Sequence, residues 1–199
     1  MKISSLFASV VILAGLFPAA VPAAAQTQPM TPETLMAQQM KYAMPVAEHN
    51  YLKRYAGNWD VDITIWLGPG VPPVNSKGSM QGKTIFGGRY AQCDFQGTMM
   101  AKPFTGLQVI GFDLYQKKYV DLWIDDMSTH FSMSSGTLDP AGKVLTETGT
   151  WPDPATGGMR KIKAVTTWLS DAKFRWEVFR LEPDGKAVKS MELVYTRKT

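Results

Sequence analysis

Residues 57–196 divide into about ten short stretches of strand character, each bounded by residues that turn a backbone. The first is the clearest. Trp59, Val61, Ile63 and Ile65 alternate with Asp60, Asp62 and Thr64, the period of two that gives a strand one dry face and one wet one. Gly68-Pro69-Gly70 and Pro72-Pro73 follow, and proline cannot continue a sheet ladder. Residues 79–86, 89–97, 107–113, 118–125 and 130–137 repeat the pattern, as do 144–150, 160–168, 173–179 and 190–196. Their separators include Gly87-Gly88, Asp139-Pro140-Ala141-Gly142, Gly157-Gly158 and Pro183-Asp184-Gly185, all turn chemistry. Links this short join antiparallel neighbours, because a parallel crossover needs a dozen or more residues. A long meander leaves two unpaired edges unless it closes on itself. The expected fold is therefore all-β, an antiparallel barrel of eight to ten strands. Its strands are shorter and more charged than those of an outer-membrane barrel.

The segment ahead of the strands has a different composition. Lys2 is followed by an uncharged run from Ile3 to Phe17 and an Ala/Pro-rich stretch ending Ala23-Ala24-Ala25. That is the plan of a secretory signal, with cleavage expected after Ala25 and a periplasmic or secreted location. The run is too short to span a bilayer with stop-transfer flanks. Residues 26–45 form a leader and an N-terminal helix: Thr31, Pro32 and Glu33 resemble a cap and first turn, and Met36, Met40 and Met44 recur four apart. The methionine stripe suits either a lid over an apolar guest or a helix glued to the wall. A second helical piece over 46–55 turns Val46, Leu52 and Tyr55 towards the body, and residues 46–199 form the barrel domain. Cys93 is the only cysteine, so no intramolecular disulfide is possible, and it is expected as a small buried filler. A formal charge of +4 spread along the chain gives no nucleic-acid footprint; Lys161 and Lys163 alternate with apolar neighbours as on the wet face of a strand.

Gly57-Asn58-Trp59 at the start of the first strand, with Tyr195-Thr196-Arg197 at the end of the last, resembles the signature of calycins, the lipocalin-like barrels. The resemblance implies that Trp59 closes the base of the barrel and Arg197 lies across its ring, a cation–π contact of about 1 kcal/mol. A wider set of motifs is similar to an exported bacterial family catalogued as a domain of unknown function. It comprises His49-x-x-Leu52, Gly87-Gly88-Arg89-Tyr90, Gly111-Phe112-Asp113, Tyr119-Val120-x-x-Trp123-Ile124-Asp125, Gly136-x-x-Asp139 and Met191-Glu192. It implies a lipocalin-like fold and no particular activity. Related haem-binding nitrobindin barrels use a histidine ligand; here His49 and His130 both lie outside the C-terminal strands, so no haem or other cofactor is expected.

A barrel of this size holds either packed side chains or one small ligand. On residues 118–125 one face carries Val120, Leu122 and Ile124, the other Tyr119, Asp121, Trp123 and Asp125. An aliphatic set is ordinary packing, and an aromatic-plus-carboxylate set is either a pocket wall or a solvated outer face. The leading expectation is a small, largely apolar ligand in the lumen, with Trp123, Trp168, Trp176, Phe112 and Tyr119 as walls and Arg89, Asp125 and His130 as polar anchors. The alternatives are a barrel enzyme using Asp125 and His130 as acid and base, or a packed barrel whose loop at Trp66 to Pro73 binds another protein. Ser132, Ser134 and Ser135 lie outside any nucleophile elbow, and two histidines without paired cysteines give no metal site, so neither a catalytic residue nor a metal is assigned.

Overall fold

The computed structural model describes residues 31–153 and 156–199; the expected signal segment and its cleavage position lie outside them. Helix α1 (Pro32–Ala43) starts where expected. The Thr31 hydroxyl accepts the Thr34 N–H at 3.3 Å, with Glu33 in the first turn and Lys41 in the last, each matched to the helix dipole. None of its residues is buried, and Met36, Met40 and Met44 all stay exposed, Met44 touching the Arg89 guanidinium at the helix end. The next segment, Ala47–Tyr55, is a 3₁₀ helix. Its three-residue turn stacks His49, Leu52 and Tyr55 on one side, and all three are buried.

Ten strands follow: β1 (Gly57–Ile65), β2 (Val74–Ile85), β3 (Tyr90–Met99), β4 (Lys102–Asp113), β5 (Lys118–Asp125), β6 (Ser132–Leu138), β7 (Val144–Asp153), β8 (Gly158–Ser170), β9 (Lys173–Leu181) and β10 (Ala187–Arg197). Each pairs antiparallel with its neighbours in the chain, and β1 pairs with β10 to close the barrel. Strand β2 begins five residues before the sequence pattern suggests. Its polar start, Asn75 to Lys77, is paired against β1 from Thr64 to Asp62, so the ladder overrides composition.

On β5 the aromatic-plus-carboxylate face is the inner one. Tyr119 and Asp121 are buried there, while the aliphatic face of Val120, Leu122 and Ile124 lies outside and half-exposed. The inner face of β5 thus serves both the aromatic packing of one end, through Tyr119, and a polar floor, through Asp121.

One end of the barrel is sealed. The 3₁₀ helix lies across it, let in by Gly82, where any Cβ would collide with the Tyr55 carbonyl. Below it Trp59 is wholly buried, donates its indole N–H to the Tyr55 carbonyl at 3.0 Å, and packs against Trp168 and Phe174. The Arg197 guanidinium lies 4.1 Å above the Trp59 ring and donates to the carbonyls of Ala56, Arg54 and Asp171. Arg54 covers Trp168 in the same way, also at 4.1 Å. The expected Trp59–Arg197 clasp is thus present and doubled. Cys93 is buried mid-strand, as expected.

Candidate functional site

Towards the other end, the inner face changes character. Strand parity places Trp123 (β5), Trp151 (β7), Trp176 (β9) and Met191 (β10) inside, yet each keeps partial exposure. Inner-face side chains near the sealed end do not: Trp59, Ile110 and Leu145 have none. Solvent therefore enters the open half of the lumen and stops at its middle. The rings pair among themselves, Trp151 with Trp176 at 6.0 Å and Trp123 with Phe95 and Phe104 at 6.0 Å each. Gly106 makes room for Trp123, since a Cβ there would collide with the indole.

The floor beneath these rings is polar and spans four consecutive strands. Gln108 (β4) donates its amide N–H to Asp121 (β5), and Ser134 (β6) lies 3.4 Å from Glu147 (β7). Asp121 and Ser134 face each other across the β5–β6 ladder. Glu147 is 1% exposed and Asp121 8%, and neither forms an ion pair with a lysine or arginine among the described residues. Burial pushes the Asp121 carboxyl up to about 7 against the opposing pull of Gln108. Burial, followed by the charge on Asp121, raises Glu147 well above the ordinary glutamate range. Near neutrality the floor therefore retains protons and offers both donors and acceptors.

The open rim carries charge. Arg160 (β8) pairs with Asp153 at 2.6 Å and with Glu182 at 3.0 Å, while Arg180 (β9) has no such partner among the described residues.

The residues singled out from sequence fall into four places. Trp123, Asp125 and Trp176 belong to the open half; Asp125 accepts the Trp123 indole N–H at 2.7 Å and fixes that ring. Tyr119 and Trp168 are instead part of the sealed end. The Tyr119 hydroxyl donates to the Glu48 carbonyl at 2.9 Å, and the Trp168 indole donates to the Tyr51 hydroxyl at 3.1 Å, so both act in packing. Phe112 and Arg89 meet in a separate cleft of about 270 Å³ between the end of α1 and the barrel, beside His49 and Met44. Arg89 spends its N–H groups there on the Ala43 and Phe86 carbonyls, which makes it an anchor for the helix end. His49 accepts the Val46 N–H on Nδ1, and burial lowers its pKa. His130 stands in the β5–β6 loop, and no hydrogen bond or ion pair joins it to Asp125, whose second oxygen takes the Met127 N–H instead. The acid/base pair expected from their spacing is not formed. Missed from sequence were Glu147 and Arg180. Glu147 shares its face with Leu145 and Trp151, and that alternation was the available signal.

The model of the family described as "Protein of unknown function (DUF1579)" matches residues 44–197. None of the curated proteins matches the chain. Among solved structures, the chain resembles Rv2717c from M. tuberculosis, with a TM-score of 0.56 at 11% identity over 78% of this chain and all of that one. It also resembles the S-type phycobiliprotein lyase CPES from Guillardia theta, with a TM-score of 0.53 at 8% identity over 80% of this chain and 97% of the other. At such identities the likeness is one of fold, a lipocalin-like barrel.

Proposed function

The chain belongs to the DUF1579 family, and on that premise we propose that it is an exported barrel protein that binds a small, largely apolar ligand in the open half of its lumen. The observation that carries this reading is the partial exposure of Trp123, Trp151 and Trp176 on an inner face, above a buried polar floor. Soluble barrels of about this size either fill with side chains or hold one small ligand, and these rings leave room for water. An apolar pocket with a few converging polar groups is the usual form of a small-molecule site. Export follows from the Lys2-to-Ala25 segment, and it predicts Gln26 as the mature N-terminus.

Both parts are tested on protein purified natively from the exported fraction. Mass spectrometry is expected to give residues 26–199, and an organic extract a stoichiometric small molecule. Trp123→Ala is expected to lose that molecule while the thermal midpoint falls by only a few degrees. Loss of binding and stability in proportion would mean that Trp123 is ordinary packing, and the luminal reading would fall.

A further inference from the structure

Arg180 is the one luminal cation among the described residues left without a counter-charge. It lies two residues beyond Val178 and four beyond Trp176 on β9, which places it on the inner face, and its ladder partners are Ile162 of β8 and Val188 of β10. Its Nε is buried and finds no acceptor. Arg175 also has a buried, unbonded Nε, but it points outwards and has a Glu177 oxygen at 3.1 Å. Arg160, one inner position nearer the rim, has both of its acids in place. Buried donors in folded proteins almost always meet an acceptor, and a guanidinium cannot relieve the deficit by losing its proton.

The open lumen is also polarised along its length. Its acidic groups, Asp121 and Glu147, sit at the floor, and its unmatched positive charge stands on the wall nearer the mouth, with Trp176 and Trp151 between them. An anionic group finds carboxyls and no counter-charge at the floor but a guanidinium at Arg180, while an apolar body is accommodated by the rings. One free guanidinium matches one negative charge, and its planar fork matches a carboxylate. Resting on the luminal reading above, we propose that the ligand is an amphipathic monocarboxylic acid, its carboxylate on Arg180 and its apolar body against Trp151 and Trp176.

The test uses three probes of equal chain length, decanoate, decan-1-ol and decylamine, titrated into the mature protein with tryptophan emission as the readout. Decanoate is expected to bind at least tenfold more tightly than decan-1-ol. Arg180→Met, with its fold checked by circular dichroism, is expected to abolish that preference while leaving decan-1-ol affinity unchanged, and Arg180→Lys to restore part of it. Equal binding of acid and alcohol, tighter binding of the amine, or a preference that survives Arg180→Met would overturn the head-group assignment and leave the luminal reading standing. No emission change with any of the three would overturn both.

Discussion

The two halves of this barrel are built from the same strands and the same residue types, yet they solve different problems. At the sealed end, Trp59 and Trp168 each lie under an arginine at 4.1 Å, have their indole N–H bonded, and touch other rings edge-on. At the open end, Trp151 and Trp176 lean on one another and remain half-exposed. The difference is not in hydrophobicity but in whether polar ends and ring faces are spent inside the protein. Where they are spent the ring is structure, and where they are left open it is available to something else.

That contrast breaks most visibly on truncation. Trp59→Ala is expected to cost about 3–5 kcal/mol, the range for removing a fully buried aromatic, whereas Trp176→Ala is expected to cost less than half as much; chemical denaturation of both variants measures it, and equal losses would erase the distinction between the ends. The buried carboxyls sharpen it next. Asp121 carries its proton up to about 7 in the fold but releases it near 3.8, the ordinary aspartate value, when unfolded. The unfolded chain thus binds fewer protons between those values, so the stability that Asp121 contributes declines as pH rises from about 4 to about 7 and levels off above, with the raised Glu147 adding to the decline. Asp121→Asn is expected to flatten that decline and to raise stability at pH 8 by about 2 kcal/mol, the order expected when an uncompensated buried charge is removed; a variant whose pH profile matches the parent would contradict it. The smallest effect belongs to the clasp. Arg197→Lys keeps the charge over Trp59 but loses the fork that reaches three carbonyls, and a loss of about 1–2 kcal/mol is expected from thermal melts.

Much of the fold is legible in the sequence, because antiparallel strands announce themselves locally. The alternation through Ile65 gave β1, the Thr31-Pro32-Glu33 start gave α1, and Trp59 with Arg197 marked the closure. The site was less legible. A charged residue in a strand ordinarily faces water, so only its place between Leu145 and Trp151 on one face marks Glu147 as an inner residue. Arg180 lay just past the point where the β9 pattern ended at Phe179, whereas the strand runs to Leu181. Asp125 and His130 are close in sequence, but the Asp125 carboxylate is engaged by Trp123 and Met127. Arg89 is expected from sequence as a polar anchor for a luminal ligand, and only the path of α1 shows that it holds backbone instead.

The closure of β1 on β10 also sets an order of events. Trp59, in the first strand, finds its register partner, Arg197, in the last of the ten. On a ribosome, every strand from β1 to β9 is finished before the seam has its second lip, and the growing chain carries two open edges until the end. Contacts between such distant residues slow folding, and unpaired edges expose a chain to aggregation while it waits. A chain cut before Arg197 would leave the Trp59 ring without its cover, so the arrival of β10 is also the step that locks the barrel.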